Sequence, residues 1–413
     1  MPTTATTGRE MTASRQFWTY WTASATSSLG TSITTVALPL TAVLVLHATS
    51  VEMGVVAAAG YVAWLLIGLP AGAIVRRLPL RGSQVAMDLL RAAAVATVPV
   101  AWWLGLLSVV QLVVVALVIS FADVIFFVAT STFLPRVVPR EQLQERNSLM
   151  SGTHAASQLG GPSLGGVLVQ VLGAVPTMLV DAVSYVASAI LLRGLPEVEQ
   201  PAEPDSISVR RQVREGWHFV TRHRVLNPCL WVATAINLVC GGQMALFAIY
   251  LVRDLHAPAA VVGFLLAAEG VGSLVGAALT PGLTRRIGTA RACMAAGIVS
   301  VVGAVLIPLG DGWQGYLAFA FGTIVFAGGV VVISTTTRTY RQVASPPELL
   351  SRVMATVRFV SWGAIPIGGL VGGAVGGWLG ARGALFCLAA LSVLSPLVLF
   401  SSPVRKMRDF PDP

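Results

Sequence analysis

Apolar residues in this chain do not alternate, and they do not leave one helical face wet. They run on for whole helical lengths, interrupted by single charges, prolines and glycines. Crossing a bilayer takes about 20 predominantly apolar residues. Twelve such stretches can be read, beginning near Phe17, Val51, Gln84, Val109, Ser148, Val175, Leu226, Ala259, Ala290, Trp313, Val353 and Ala384. The pattern predicts an all-α membrane protein with twelve transmembrane helices. Loops between the stretches are short except for 196–225, which starts acidic and proline-bearing (PEVEQPAEPDSIS) and ends basic (VRRQVREGWHFVTRHR). In the basic part Val209, Val213, Trp217 and Val220 share one helical face, with Arg210, Arg211, Arg214 and Arg222 around it. That arrangement suits a helix lying on the membrane surface and tethering two halves. The expected organisation is an N-terminal six-helix bundle (1–195), a linker with an amphipathic helix (196–225), and a C-terminal six-helix bundle with a short tail (226–413).

The halves echo each other. Gly68 and Gly72 recur as Gly272 and Gly276, and Pro162 and Gly165 recur as Pro366 and Gly369, at one offset (272 − 68 and 366 − 162 are both 204). Pseudo-symmetric six-helix halves are a transporter architecture with a substrate site between them near the midplane. Within the fifth stretch the chain reads Gly160-Gly161-Pro162-Ser163-Leu164-Gly165-Gly166. In water such residues weaken a helix by roughly 1 (Gly) and 3 (Pro) kcal/mol each. In a bilayer they are tolerated, because neighbouring helices re-satisfy the backbone and small residues let helices approach closely. Gly161, Pro162, Gly165 and Gly166 therefore suggest a pivot.

Composition narrows the class. Of 413 residues 55% are hydrophobic and 11% charged, about half the charged share of an ordinary soluble domain, and the mean hydropathy is +0.77. The net charge of +9 resembles a nucleic-acid signature until it is mapped onto the spans. With an even number of spans, 25 of the 27 basic residues fall on the side of the termini, and only Arg253 and Arg382 lie opposite. The positive-inside rule then sets both termini in the cytoplasm of a plasma (inner) membrane protein. The charge reads as topology, with no nucleic-acid partner. Residues 1–16 lack a cleavable signal, so the first span is expected to direct insertion. Four cysteines without metal-type spacing, no phosphate-binding loop and no nucleophile elbow argue for a non-enzyme without metal or cofactor. A monomer is expected.

Ionised residues at membrane depth cost about 2.5–3.5 kcal/mol on insertion scales and usually face a cavity or a partner. Asp123 and Glu269 lie midway through the fourth and eighth stretches. They either exchange protons or bind a cationic solute, or they satisfy interhelical hydrogen bonds. Asp181, nearer the outer end of the sixth stretch, and the Asp88/Arg91 pair read more simply as packing groups. His154 and Gln158, one turn apart before the glycine run, could line a polar wall or relay a proton. Thr31, Asn237 and Gln243 suit a wet cavity, and Trp64 and Tyr250 could meet a ligand through apolar or cation–π contact.

Several segments carry a family resemblance. GLPAGAIVRRLPLRG, residues 68–82, resembles the signature loop of the major facilitator superfamily, and Asp88 with Arg91 (MDLLRA) resembles the charged start of its third helix. FLPRVVPREQLQERNSL (133–149), RQVASPPELLSRV (341–353) and the terminal SPVRKMRDFP are similar to inner segments of its drug- and siderophore-exporter branch, macrolide-efflux-like and enterobactin-exporter-like. The glycine–proline run resembles that superfamily's antiporter motif. The resemblance implies two pseudo-symmetric six-helix bundles, with Gly68, Gly72, Arg76, Arg77, Arg81, Asp88 and Arg91 as an inner gating motif. It implies export of a small hydrophobic or amphipathic compound, such as a drug, macrolide, siderophore or natural product, in exchange for protons by alternating access. One departure stands out: the family's loop carries an aspartate where this chain has Arg76. Two rivals remain open, an uptake permease or uniporter without proton coupling, and a non-transporting sensor or scaffold.

Overall fold

The computed structural model describes residues 3–197 and 209–411, so most of the acidic part of the linker lies outside the described residues. Among them all regular structure is helical: α1 (Thr3–Leu40), α2 (Ser50–Leu66), α3 (Ala71–Val75), α4 (Leu80–Trp103), α5 (Val109–Val137), α6 (Leu143–Leu172), α7 (Ala174–Arg193), α8 (Val209–Arg222), α9 (Leu226–Ile249), α10 (Ala259–Ile287), α11 (Thr289–Leu306), α12 (Gly312–Ala344), α13 (Pro347–Ser392) and α14 (Leu394–Ser401). Nine of the described helices are long and apolar enough to cross a membrane. The last of these segments runs for 55 residues, Pro347–Ser401, and Gly380 breaks it. α2, at 17 residues, is a shorter apolar helix, and the 30-residue α6 is of membrane length but more polar. Twelve is thus the approximate number of membrane-scale segments.

Local chemistry sets the breaks. Thr49 and Glu52 cap α2 reciprocally, the Thr49 N–H donating to Glu52 Oε2 at 2.7 Å and the Glu52 N–H to Thr49 Oγ1 at 3.3 Å. Single glycines turn α6 into α7 and α10 into α11, with φ of 92° at Gly173 and 95° at Gly288, a backbone region that side chains exclude. α1 and α9 both end in a π-helical turn, Thr41–Val45 and Tyr250–Asp254. Each is followed by a histidine at positive φ, His47 (52°) and His256 (55°), inside a repeated Leu-His-Ala. This echo, at an offset of 209 (256 − 47), is structural. The Gly68/Gly272 echo is not: Gly68 lies in the turn after α2, whereas Gly272 lies inside α10 against the Ile324 backbone.

The chain divides into two compact units that do not follow its midpoint. The first comprises 1–46 and 70–204, the second 47–69 and 205–413. α2 therefore belongs with the second unit rather than with the N-terminal bundle expected from the sequence. Small residues are the reason. A Cβ at Gly54 would stand 2.6 Å from the Gly369 carbonyl oxygen, and one at Gly373 would stand 2.7 Å from that of Ser50. Nearer its other end, Trp64 meets Trp362 at 5.0 Å between ring centroids, and the Arg358 guanidinium lies 4.3 and 4.4 Å from the two rings.

The same device recurs inside each unit. In the first, Gly161 of α6 abuts Ser32 of α1, and a Cβ at Gly165 would stand 3.0 Å from the Ile33 carbonyl oxygen. In the second, Gly241 of α9 abuts Ile365 of α13, and a Cβ at Gly372 would stand 2.7 Å from Gly242 Cα. The helix pairs correspond, and in the second unit glycines face larger residues from both partners, Gly241 of α9 against Ile365 and Gly368 of α13 against Leu238.

Part of the apolar side of α8 is used against protein: Val220 is buried with Val225, Leu226, Cys229, Val353 and Val357, and Gly216 sits on the Arg352 backbone, while Trp217 on the same helix stays exposed. Glu215 binds Arg211 at 2.8 Å and also pairs with Arg352 of α13. At the same end, His223 accepts the N–H groups of Val225 and Leu226 at Nδ1, both at 3.2 Å. It packs between Phe219 and Tyr340, and Tyr340 carries Phe410 of the tail at 4.8 Å.

Three outcomes follow for stability. Replacing Gly372 by Val should lower the thermal midpoint in detergent by the equivalent of about 1–3 kcal/mol of overpacking. Gly282→Ala on α10, where a Cβ meets open space, should leave the midpoint unchanged or raise it by the equivalent of up to about 1 kcal/mol. Burial holds the His223 imidazole below its usual value, so the unfolded chain takes up the proton first as pH falls. Its contribution is complete above about pH 6.5 and is lost progressively below it. Midpoints measured across that range should fall less steeply in His223→Gln than in the parent.

Candidate functional site

Four helices of the first unit each bring a polar stripe to one buried place. α4 supplies Asp88 and Arg91, three residues apart; α7 supplies Asp181, Tyr185 and Ser188; α1 supplies Ser27, Thr31 and Thr34; α5 supplies Asp123 and Phe126. Spacings of three, four and seven put each set on one helical face. The Arg91 guanidinium donates to Asp88 Oδ1 at 2.7 Å and to Asp123 Oδ1 at 2.8 Å. Its charge lies 4.3 Å from the Phe126 ring centroid and 4.7 Å from that of Tyr185. The hydroxyls of Ser188 and Ser27 donate to Asp88 at 2.6 and 3.4 Å. Thr31 donates to the Ser27 carbonyl at 2.9 Å, so in the 2.9 Å contact between Thr31 and Tyr185 the phenol is the donor.

The third carboxylate is held differently. Asp181 is fully buried, and Ser184 donates to its Oδ1 at 3.1 Å, while Oδ2 has no hydrogen-bond partner among the described residues. Asp181 and Ser184 occupy the space that a side chain at Gly30 would need. Access also differs among the acids. The Asp88 side chain is 0% exposed, whereas that of Asp123 is 33% exposed. Arg91 therefore joins a fully enclosed acid to a partly exposed one.

Of the gating residues, Asp88 and Arg91 belong to this cluster, and the three arginines of the loop do not. Arg76 and Arg77 are exposed after the short α3. Arg81 is anchored to Glu197: its backbone N–H donates to Oε1 at 3.0 Å, its Nε to Oε2 at 3.2 Å, and its Nη1 to the Leu195 carbonyl at 2.7 Å. The acid that meets this loop thus comes from the start of the linker, a pairing sequence reasoning missed. Pro162 and Gly166 are buried with Gly161 and Gly165, whereas His154 and Gln158, earlier on the same stripe, are exposed. Thr31 belongs to the charge cluster.

In the second unit Glu269 is exposed on α10, Asn237 is half-buried, and Gln243 and Tyr250 are buried in and after α9. Tyr250 packs against Phe319, with centroids 6.3 Å apart, and Trp64 is held at α13. Tyr185, Ser188 and Phe126 were not singled out from sequence. The Asp-Tyr-Ser stripe at i, i+4 and i+7 on α7 was the signal that could have found two of them.

Comparison with known proteins agrees with this architecture. A family model described as transmembrane secretion effector matches residues 11–411. The chain is 27% identical over 402 residues to the multidrug efflux pump Tap of Mycolicibacterium fortuitum, covering 93% of this chain and 95% of that protein. It is 24% identical over 398 residues to the uncharacterised MFS-type transporter YfiS of Bacillus subtilis, covering 93% and 92%. Among solved structures, the nucleoside transporter NupG superposes with a TM-score of 0.74 at 11% identity, over 95% of this chain and 99% of that one. A bacterial homologue of the iron transporter ferroportin gives 0.69 at 17% identity, over 94% and 98%.

Removing one member of a buried ion pair leaves its partner uncompensated, at a cost of about 3–5 kcal/mol. Arg91→Gln should therefore depress the unfolding midpoint strongly. Adding Asp88→Asn should restore part of the loss, and equal midpoints for the single and double variants would mean that packing, not charge, sets the cost.

Proposed function

The chain belongs to the transmembrane secretion effector family of major facilitator transporters, and on that premise we propose that it exports small hydrophobic or amphipathic compounds in exchange for protons. It is a membrane transporter and not an enzyme. The observation that carries the proton half of the proposal is the first unit's charge cluster, in which one guanidinium faces Asp88 and Asp123 and a third buried acid lies on the same helical stripe as Tyr185. With all three acids ionised the cluster would hold a surplus of negative charge in a poorly screened place. A proton is the simplest compensating cation. Asp123 is the partly exposed member, so it takes up and gives off the proton, while Arg91 transfers its attraction between Asp123 and Asp88 as that proton comes and goes.

Energetics are adequate for the task. One charge moving down a membrane potential releases about 2.3 kcal/mol per 100 mV, which sustains about a fiftyfold solute gradient. Gly161, Pro162, Gly165 and Gly166 serve as the pivot of α6 on α1, and Arg81 with Glu197 ties the gating loop to the linker. Glu269, exposed and in the second unit, is a second candidate for contact with a cationic solute, and His154 and Gln158 for the polar wall. Multidrug efflux pumps among the relatives favour drug-like cargo. We place the protein in the plasma membrane as a monomer of two bundles joined by the linker, with both termini cytoplasmic. The two basic residues on the opposite side fit that topology as structural staples. Arg253 donates to the Ala48 carbonyl at 2.8 Å, and Arg382 donates to Asp311 at 2.5 Å.

Inverted vesicles carrying the protein test the proposal directly. A labelled macrolide should accumulate when the lumen is acidified, and a protonophore should abolish the accumulation. Asp123→Asn should lose gradient-driven uptake by about tenfold or more, the scale of one lost proton-transfer group, while still exchanging labelled for unlabelled solute. Accumulation that ignores the gradient would overturn proton coupling.

A further inference from the structure

α8 and the first turn of α13 enclose a surface groove lined by Arg214, Glu215, His218, Phe219 and Leu349. Its chemistry is divided. Phe219 and Leu349 are half-buried and form an apolar floor, while Arg214 and His218 are exposed at the rim. Glu215 does not neutralise that rim, because it is already engaged. It binds Arg211 on its own helix and Arg352 on α13. The Arg211 hydrogen bond, and then the nearby Arg352 charge, hold the Glu215 carboxyl below its usual value. The pairing with Arg352 also fixes α8 against α13, so the groove is a formed feature.

Its position supplies the partner. Leu349 lies in the first turn of α13, and α9 begins at Leu226, four residues after α8 ends at Arg222. Both α9 and the α13 segment are long and apolar enough to cross a membrane, and a groove at their first turns lies toward the end of such a span, where a membrane surface would be. Trp217, 39% exposed on the same helix, is the kind of residue that settles at headgroup level. A cationic rim over an apolar floor, at that depth, complements a phosphate with hydrocarbon attached.

We propose that this groove binds the headgroup of an anionic phospholipid from the adjoining leaflet, its phosphate between Arg214 and His218 and the upper part of its acyl chains on Phe219 and Leu349. The bound lipid fastens α8, and with it the linker, to the membrane surface. The proposal is independent of proton coupling and of the cargo.

The test uses the full-length protein in nanodiscs of phosphatidylcholine with or without phosphatidylglycerol, followed by native mass spectrometry of the lipids that remain bound in detergent. The parent should retain phosphatidylglycerol in preference to phosphatidylcholine. Arg214→Gln should lower retention about fivefold, the effect of one cation near an anionic surface. Arg214→Lys should keep most of it, and Leu349→Asp should reduce it while the rim is intact. Arg285→Gln, an exposed arginine on α10, should change nothing. Unfolding midpoints of each variant separate loss of the site from loss of the fold. Equal retention in the parent, Arg214→Gln and Leu349→Asp would overturn the proposal. Displacement of the lipid by millimolar glycerol phosphate or inorganic phosphate would also overturn it, by assigning the groove to a free anion.

Discussion

Close approach of helix backbones through small residues is the constraint on which the rest of this structure depends. In hydrocarbon there is no hydrophobic drive to press one apolar helix against another. Contact must come from dispersion at short range, and short range requires small residues. Gly161 and Gly165 bring α6 onto α1, Gly241 and Gly372 bring α9 and α13 together, and Gly54, Gly369 and Gly373 bring α2 onto α13. Once these backbones are seated, the positions of the longer side chains are fixed. Thr31 can meet Tyr185, and Asp181 finds room beside Gly30, only because α1 lies that close to α7.

Charge occupies the places this packing leaves. In the first unit an arginine, three acids and their hydroxyl partners share a buried site with graded exposure, from enclosed Asp88 to partly exposed Asp123. In the second, guanidinium groups take other roles. Arg358 stacks on two tryptophans, Arg352 holds the linker helix through Glu215, and Arg382 pins the start of α12 through Asp311. The same residue type thus acts as counter-ion, as aromatic partner or as staple, according to whether an acid or a ring is in reach.

How much of this was legible in the chain varies by residue. The apolar runs, the basic bias of one side and the glycine–proline stretch could be read because each is a property of consecutive residues. Asp88 with Arg91 was visible as a pair three apart, but its link to Asp123 was not, since those residues are on different helices. The Tyr185 and Ser188 stripe was present in the sequence as spacing and was passed over because neither residue is charged. The helix of the linker was legible as amphipathic. Which part of its apolar face packs on protein was not, because a lipid-facing and a protein-facing residue are equally apolar.

Sequence by itself determined the class and the approximate number and place of the spans, since these follow from local hydropathy, and it carried the family resemblance in motifs of consecutive residues. It also held the Leu-His-Ala echo that marks the end of α1 and of α9. Only the tertiary structure decided that α2 belongs with the second unit, that Glu197 meets the gating loop at Arg81, and that one arginine serves two acids. Such outcomes depend on which helix faces come within 3 Å of one another. That distance is set by the sum of small-residue contacts over several helices, which no single stretch of sequence contains.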